Sequence, residues 1–288
     1  MRLALIGTGM MGERLGQRLL DAGHELAVYN RTTRRTAALV ASGARVATTP
    51  REAVAGATVV LTMLADPAAV RAVAYGDDGL LAGADAGALW VDLSTVAPDD
   101  SREFAATARE HEVRTLDAPV SGSLGAAEKG MVVFLVGGAA DDYAAARPVF
   151  SVLGRDSVYL GPTGAGSAGK LAVNAFLLTA MAAAVEAVRL GRSEGIDPAA
   201  LLTGLGRTEI VPPWAIGKLE RLVEGDLRPA FSLALAAKDL RLIEATAAGA
   251  GLDVPLLDAA RELYAAALAA GRGDLDFSAV EEDGPAGK

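Results

Sequence analysis

The chain has 288 residues, of which 51% are hydrophobic, and a formal net charge of -9. This length allows two domains with a substantial core, and the apolar content excludes a disordered chain. The acidic balance argues against a general nucleic-acid surface, which would be basic. The sequence has no cysteine and two histidines, which excludes disulfides and thiolate sites and argues against a histidine-rich metal site. Because the N-terminal residues lack a signal-peptide layout, we expect a soluble cytoplasmic protein.

Short apolar runs alternate with helical stretches over the first part of the chain. Strands are predicted at Arg2–Ile6, Glu25–Tyr29, Val59–Met63, Leu89–Leu93, Arg114–Asp117 and Met131–Val136. Helices are predicted at Met10–Ala22, Thr33–Ser42, Pro67–Tyr75 and Ala97–Glu110. Strands and helices that alternate at this spacing predict an α/β domain, a mainly parallel doubly wound sheet of the Rossmann type.

The pattern then changes to helices alone, which predicts an all-α C-terminal domain. The helices are predicted at Ser167–Gly195, Pro198–Leu205, Ala215–Glu224, Leu233–Ala248 and Pro255–Ala270. We place the boundary at Gly161-Pro162, with a dinucleotide-binding domain over 1–161 and a substrate and dimerisation domain over 162–288. The chain after Gly271 is acidic and rich in glycine and proline, so we expect its end to be frayed.

One segment of the first long helix is apolar enough to suggest a membrane span. Leu171 to Val188 contains Asn174 and Glu186, and its many alanines suit close helix packing. We therefore predict a helix buried inside the protein and no contact with a membrane.

A glycine-rich loop, Gly7-Thr8-Gly9-Met10-Met11-Gly12, lies between the first predicted strand and helix. In a dinucleotide-binding loop, the first glycine permits a tight turn and the second admits the pyrophosphate. The third allows close packing of helix and strand. The N-H groups at the helix start then face the phosphates. The order of strand, loop and helix predicts that Gly7, Gly9, Met10, Met11 and Gly12 bind a dinucleotide.

The end of the second predicted strand favours NADP(H) over NAD(H). A site for NAD usually has an acid there, which binds the ribose hydroxyls. Position 30 is asparagine, 18 residues after Gly12, and Arg31 and Thr32 follow it. An arginine can pair with the 2′-phosphate that a carboxylate would repel. A solvated basic patch is the alternative.

Lys170 and Asn174 follow a glycine-rich segment, Gly161 to Gly169, and lie four residues apart. This spacing places both side chains on one face of a helix. Beside a nicotinamide, the lysine could exchange a proton with a carbonyl or hydroxyl group. The predicted helix places Lys170 in its first turn, where the positive helix end and partial burial would both disfavour the ammonium. A solvated lysine at a helix start is the alternative.

With these residues in view, the chain resembles the β-hydroxyacid dehydrogenase family, which includes 3-hydroxyisobutyrate dehydrogenases and glyoxylate/succinic semialdehyde reductases. Four ordered motifs carry the resemblance: the Gly7–Gly12 loop, Asp117–Ser123, Gly164–Asn174 and Lys238–Leu242. It implies a Rossmann domain, a long interdomain helix, an all-helical C-terminal domain, and dimers or tetramers. The family pattern has a second glycine where Ser123 stands, and Thr where Met131 stands, which leaves the substrate open.

The resemblance also assigns roles. Ser121, with the backbone N-H groups of Gly122 and Ser123, would bind a substrate carboxylate. Lys170 would be the general acid and base, and Asn174 would bind the substrate or hold Lys170. It also places Met63, Leu64 and Lys238 beside the cofactor. Ser94 and Thr95 are expected to contact the cofactor for another reason, because they end the Leu89–Leu93 strand and ligands of open α/β sheets bind at strand ends.

The sequence therefore predicts an NADP(H)-dependent enzyme that interconverts a small hydroxyacid and its aldehyde or keto acid. An imine reductase is one alternative, but those related enzymes usually lack a lysine at the position of Lys170. A non-catalytic NADP-binding module is the other, and the intact Lys170, Asn174 and substrate loop argue against it.

Overall fold

The computed structural model describes residues 1–280 of the chain. The chain divides into two compact units, Met1–Leu171 and a second that begins at Ala172. The first unit is a sheet with helices on both faces, and the second is helical. The predicted α/β domain followed by an all-α domain is therefore confirmed as a fold class.

Six parallel strands form the main part of the sheet in the first unit. They are β1 (Arg2–Ile6), β2 (Glu25–Tyr29), β3 (Arg45–Val46), β4 (Val59–Thr62), β5 (Leu89–Asp92) and β6 (Arg114–Asp117). Their order across the sheet is β3-β2-β1-β4-β5-β6. This order reverses between β1 and β4, and ligands of such sheets bind at the carboxyl ends of strands beside the reversal.

The sheet continues with three strands that the sequence only partly revealed. These are β7 (Val120–Ser121), β8 (Val132–Gly138) and β9 (Gly154–Gly161). Strand β8 is antiparallel to β6 and β7, and β9 pairs in parallel with β8. No strand was predicted at β9 because it begins with polar residues and is largely exposed, so it lacks the apolar run of a buried strand.

Nine of the described helices begin in the first unit, and the last of them continues into the second. They are α1 (Met10–Asp21), α2 (Ala37–Ala41), α3 (Pro50–Val54), α4 (Pro67–Ala74), α5 (Leu80–Gly83), α6 (Pro98–Glu110), α7 (Leu124–Glu128), α8 (Ala140–Leu153) and α9 (Ala165–Ser193). A 3-10 turn at Thr33–Thr36 precedes α2. Alternate residues of β1 belong to two different hydrophobic clusters, Leu3 and Leu5 to one, Ala4 and Ile6 to the other. The sheet is therefore buried on both faces, as its strand pattern predicted.

The second unit contains the rest of α9 and four further helices among the described residues. They are α10 (Pro198–Arg207), α11 (Pro213–Val223), α12 (Leu233–Gly249) and α13 (Pro255–Ala269). The tail after Gly271 is ordered up to residue 280, and its end, 281–288, for which fraying was expected, lies outside the described residues. Asp276 accepts a 2.6 Å hydrogen bond from Lys218, and Phe277 is buried against Phe231.

Helix α9 is long and apolar enough to span a membrane by length and composition alone, a test that core helices of soluble proteins also pass. One face is buried, with Leu178 and Met181 fully enclosed. The other face is not: Phe176 is 69% exposed and Leu190 is 68% exposed. The prediction of a buried helix is therefore wrong for this face, which no element within residues 1–280 covers.

Candidate functional site

The glycine-rich loop joins β1 to α1 at the point where the strand order reverses. Gly7 has a φ of 98°, a conformation that favours glycine, and its N-H donates to the carbonyl of Tyr29 on β2. A Cβ on Gly12 would lie 2.0 Å from the Gly7 carbonyl oxygen, so the start of α1 packs directly on the loop. The first and third glycines are thus required by the packing of the loop itself.

The middle of the loop has the open space that a pyrophosphate needs. A Cβ on Gly9 would meet no atom within 4 Å, and Gly9 is the residue that precedes α1. The hydroxyl of Thr8 is buried and has no hydrogen-bond partner among the described residues. Unpaired N-H groups at the start of α1 add a positive potential. These features fit a nicotinamide dinucleotide, with Met10 exposed and Met11 half-buried on the first turn.

The side chain of Asn30 bridges the two loops that follow β1 and β2. Its Oδ1 accepts a 3.1 Å hydrogen bond from the N-H of Thr8, and its Nδ2 donates to the carbonyl of Thr32 over 3.0 Å. An aspartate could make the first bond but could not donate the second. Arg31 and Thr32 are exposed just beyond it. Asn30 therefore shapes the turn that presents Arg31.

A second group of polar side chains lies at the carboxyl ends of β4 and β5. Asp92 accepts from the hydroxyl of Thr62 over 2.7 Å and from the N-H of Ser94 over 3.1 Å. The hydroxyl of Ser94 in turn accepts from the N-H of Leu64 over 3.0 Å. Burial raises the pKa of Asp92 to about 6, although these hydrogen bonds lower it in part.

This network fixes the two loops in which cofactor contacts were predicted. Met63 and Leu64 follow β4, and Thr95 follows Ser94 after β5; all three are half-buried. The main chain of Met63 also closes over the glycine loop, since a Cβ on Gly7 would lie 2.3 Å from its carbonyl oxygen. These residues therefore border the same carboxyl edge of the sheet as the glycine loop.

The predicted substrate loop leaves the sheet at β7. Ser121 is the last residue of that strand and is half-buried, and Gly122 has a φ of 147° and is exposed. The hydroxyl of Ser123 accepts a hydrogen bond from the N-H of Ala126, so its side chain caps α7. Ser123 thus has a structural use for the hydroxyl that the family's usual glycine lacks, while its backbone N-H was the part assigned to the substrate.

The start of α9 differs from the prediction in a way that matters for Lys170. The helix begins at Ala165 rather than Ser167, which places Lys170, its sixth residue, in the second turn rather than the first. The buried carboxylate of Asp117 accepts hydrogen bonds at that helix start. A carboxylate there opposes the positive helix end, and the effect of that end fades beyond the first turn. The positive helix end therefore no longer gives a reason to expect that the Lys170 ammonium is disfavoured. Of the two expected causes, only the partial burial of Lys170 remains.

Asn174 is one turn after Lys170 on α9 and is only 1% exposed. Its Nδ2 donates a 2.6 Å hydrogen bond to Oδ2 of Asp239 on α12, and the buried Oδ1 has no hydrogen-bond partner among the described residues. Oδ1 of Asp239 lies 2.7 Å from Nζ of Lys238. Asp239 therefore contacts two predicted site residues, Asn174 and Lys238. Its bond to the amide nitrogen also fixes the orientation of the Asn174 amide oxygen.

The structure brings the predicted residues together in three groups. The glycine loop, Asn30, the Met63–Leu64 loop and Ser94 are linked within the first unit. Lys170 and Asn174 share a helix face, and Asn174, Asp239 and Lys238 are linked in the second unit. The expected pairing of Asp239 with Lys238 is confirmed. The part played by Asp117 and the bond of Asp239 to Asn174 were missed, because a sequence does not reveal which buried atoms an acid contacts.

Matches to known proteins cover nearly the whole chain. A model described as the NAD-binding domain of 6-phosphogluconate dehydrogenase matches residues 2–161. One described as NAD-binding of NADP-dependent 3-hydroxyisobutyrate dehydrogenase matches residues 164–282.

Individual relatives are similarly extensive. An NAD-dependent L-serine dehydrogenase of Pseudomonas aeruginosa is 36% identical over 98% of this chain and 97% of its own length. The chloroplastic glyoxylate/succinic semialdehyde reductase 2 of Arabidopsis thaliana is 35% identical, over 97% of this chain and 78% of its own. The structure of Mycobacterium tuberculosis 3-hydroxyisobutyrate dehydrogenase with L-serine superimposes with a TM-score of 0.86, at 33% identity over 97% of each chain.

Proposed function

The chain belongs to the β-hydroxyacid dehydrogenase family, and we propose that it interconverts a small hydroxyacid and its aldehyde or keto acid with NADP(H) as cofactor. The observation that carries this proposal is the pairing of Lys170 with Asn174 on one face of α9. Asn174 there has a buried amide oxygen that has no hydrogen-bond partner among the described residues. An acceptor left open in this way suits a substrate hydroxyl, which must donate a hydrogen bond.

The proton chemistry is assigned to Lys170. In the reducing direction its ammonium donates a proton to the carbonyl oxygen, and in the oxidising direction its neutral amine takes the hydroxyl proton. The nicotinamide, when bound, supplies or accepts the hydride. The amide oxygen of Asn174 orients the hydroxyl, and Asp239 keeps that oxygen pointed away from itself by holding the amide nitrogen. No residue other than Lys170 is required to change protonation state.

The preference for NADP(H) is supported by the turn after β2. Position 30 is an asparagine whose amide makes hydrogen bonds to Thr8 and Thr32, so the turn has no carboxylate there. The next two residues, Arg31 and Thr32, are exposed. The guanidinium of Arg31 can pair with a 2′-phosphate through two parallel hydrogen bonds. A relative is named as NAD-dependent, so this preference is a property to be measured for the present chain.

The substrate is a small carboxylate. Ser121 and the exposed backbone N-H groups of Gly122 and Ser123 offer donors for its carboxyl group. The names of the relatives point to 3-hydroxyisobutyrate, glyoxylate, succinic semialdehyde and L-serine as candidates. L-Serine and 3-hydroxyisobutyrate share a hydroxyl on the carbon β to the carboxylate, which makes them one chemical class.

We also propose that the enzyme is a homodimer or homotetramer. The support is the exposed face of α9, where Phe176 and Leu190 present large apolar side chains to solvent in the single chain. Light scattering coupled to size exclusion tests this directly. A monomer at micromolar concentration would contradict the proposal.

A substrate panel run with both cofactors tests the function. We expect NADPH-dependent reduction of glyoxylate or succinic semialdehyde, or NADP-dependent oxidation of 3-hydroxyisobutyrate or L-serine, and no reduction of a cyclic imine. Imine reduction without hydroxyacid turnover would favour an imine reductase. NADPH binding without turnover of any compound would favour a non-catalytic module. A tenfold preference for NAD(H) in kcat/KM would contradict the cofactor assignment.

A further inference from the structure

We propose that Asp117 is a positioning residue for Lys170, because its buried carboxylate holds the first turn of α9 against the carboxyl end of β6. This inference rests on the proposed function, in which Lys170 transfers the proton. It assigns to Asp117 no contact with substrate or cofactor. The residue acts through the backbone of the helix that carries Lys170.

Both carboxylate oxygens of Asp117 are used at the helix start. Oδ1 accepts a 2.8 Å hydrogen bond from the N-H of Gly164, and Oδ2 accepts one of 2.8 Å from the N-H of Ser167. Helix starts leave such N-H groups without partners inside the helix. Asp117 is 4% exposed, so water cannot replace it easily.

The first turn of α9 also packs without side chains between it and the sheet. A Cβ on Gly166 would lie 2.3 Å from the carbonyl oxygen of Asp117 and 2.4 Å from that of Leu135 on β8. A Cβ on Gly137 would lie 2.7 Å from the N atom of Gly166. Backbone therefore lies on backbone at this point, and the turn cannot shift without losing the hydrogen bonds of Asp117.

A second connection fixes the same turn from another side. The hydroxyl of Ser167 hydrogen-bonds that of Ser101 on α6 over 2.8 Å, and both residues are buried. Ser167 therefore has two fixed contacts: its N-H donates to Asp117 at the end of β6, and its hydroxyl bonds to Ser101 on α6. In an α-helix the N-H of Lys170 bonds to the carbonyl of Gly166, the residue seated on the sheet. These contacts therefore fix the position of the Lys170 Cα, from which its side chain extends.

The geometry explains why an acid, rather than an amide, is needed at position 117. An asparagine has one acceptor oxygen and would turn its NH₂ group toward one of the two donors. Asp197, which caps α10, differs in this respect because within residues 1–280 only its Oδ2 accepts a hydrogen bond, from the N-H of Ala200. Asparagine is as good a cap as aspartate in that simpler arrangement. The two positions therefore form a matched pair for the same substitution.

Loss of position matters for a group that transfers a proton. A displacement of roughly 1 Å in a catalytic group can lower the rate by about a hundredfold. Binding of the cofactor would be spared, because the glycine loop and the Asn30 turn make none of these contacts. We therefore expect an effect on kcat with little effect on the affinity for NADPH.

The test compares Asp117→Asn with Asp197→Asn by hydrogen exchange and by kinetics. For Asp117→Asn we expect amides 164–170 to exchange at least tenfold faster while the strands of the sheet keep their protection. We also expect kcat to fall roughly 10- to 100-fold, with the Kd for NADPH and the KM for substrate within about twofold of the wild type. Asp197→Asn should leave both measurements unchanged.

Two outcomes would overturn the proposal: unchanged exchange of amides 164–170, or faster exchange with normal kcat. If Asp117→Asn does not fold, Ser101→Ala removes only the hydroxyl contact to Ser167, and it should lower kcat about threefold with locally faster exchange. Normal kcat in a folded Ser101→Ala variant with a loosened turn would then be the contradicting result. Hydrogen exchange is measured without substrate, so it tests the contact between Asp117 and α9 independently of activity. A wild type without activity would refute the proposed function but would not change the result of that exchange experiment.

Discussion

The side-chain nitrogen of Asn174 on α9 donates a 2.6 Å hydrogen bond to Oδ2 of Asp239 on α12, 65 residues away in the chain. Both residues are at most 2% exposed. Since the carboxylate can only accept, this bond fixes which end of the Asn174 amide points away. The ammonium of Lys238, the neighbouring residue in the chain, lies against the other carboxylate oxygen and offsets the charge of this buried acid.

Removing the Asp239 charge should therefore impair turnover through Asn174. We expect Asp239→Asn and Asn174→Ala each to lower kcat/KM roughly 10- to 100-fold, the range of a buried hydrogen bond to a charged group. The double variant should lose little more than either single one, because the two residues act as a unit. Asp253→Asn, on an exposed loop, is the control. Additive losses in the double variant would contradict this link.

The Arg31 side chain should determine the choice between NADPH and NADH. We expect Arg31→Ala to lower kcat/KM for NADPH about 10- to 100-fold, with little change for NADH, because a lost charge-assisted contact affects only the cofactor that carries the phosphate. Arg147→Ala, an exposed arginine on α8, controls for net charge. Equal losses with both cofactors would show that Arg31 does not read the 2′-phosphate.

The glycine loop offers a second test, because two of its glycines are needed for different reasons. A Cβ on Gly9 enters open space, so Gly9→Ala should fold with a Tm close to the wild type but raise the KM for NADPH at least tenfold. A Cβ on Gly12 meets the Gly7 carbonyl at 2.0 Å, so Gly12→Ala should lower the Tm by several degrees. Thermal unfolding without cofactor and NADPH titration measure the two effects. Normal NADPH affinity in Gly9→Ala would contradict the placement of the phosphates.

Asp92 should make the stability of the protein depend on pH. Its pKa is raised from 3.8 to about 6 by burial, so the folded state keeps a proton that the unfolded state loses between about pH 4 and 6. Folding stability from this residue is therefore lost as pH rises through that window. The full difference corresponds to about 3 kcal/mol, of which about 1.4 kcal/mol lies between pH 5 and pH 8.

The matching experiment is urea unfolding of the wild type and Asp92→Asn at pH 5 and pH 8. The free energy of unfolding of the wild type should fall relative to the variant by about 1.4 kcal/mol over this range, because the amide does not titrate. The groups that face Asp92 are Thr62, Ser94 and the carboxylate of Asp117, which stands opposite it on β6. A constant difference between wild type and variant would mean that Asp92 is already ionised at pH 5.

Much of the fold could be predicted from the sequence because its strands are buried on both faces and its turns contain glycine. The strand Arg114–Asp117 was predicted with the bounds that the structure gives it. Elements without such patterns were missed, including the exposed edge strand β9, the two-residue strand β3 and the short helix α7. Their formation depends on neighbours supplied by the rest of the sheet, and periodicity within the segment does not reveal it.

The candidate site, like the fold, could be predicted from the sequence only where the signal is local. The glycine loop and the pair Lys170 and Asn174 have local spacings that indicate their chemistry. The second oxygen of Asp117 and the bond between Asn174 and Asp239 depend on contacts between residues roughly 50 and 65 positions apart. The start of α9 was placed two residues late because Gly164 and Gly166 discourage a helix by propensity. The close packing of Gly166 and the carboxylate cap override that propensity.

The most direct test of the whole account is the turnover of Lys170→Ala and Lys170→Arg on the best substrate of the panel, with the exposed Lys129→Ala as control. Lysine can lose its proton, whereas arginine keeps the charge and cannot transfer one. We predict that both Lys170 variants lose several orders of magnitude in kcat while their Kd for NADPH stays within about threefold of the wild type. Near-normal turnover in either variant would contradict the assignment of Lys170 as the general acid and base.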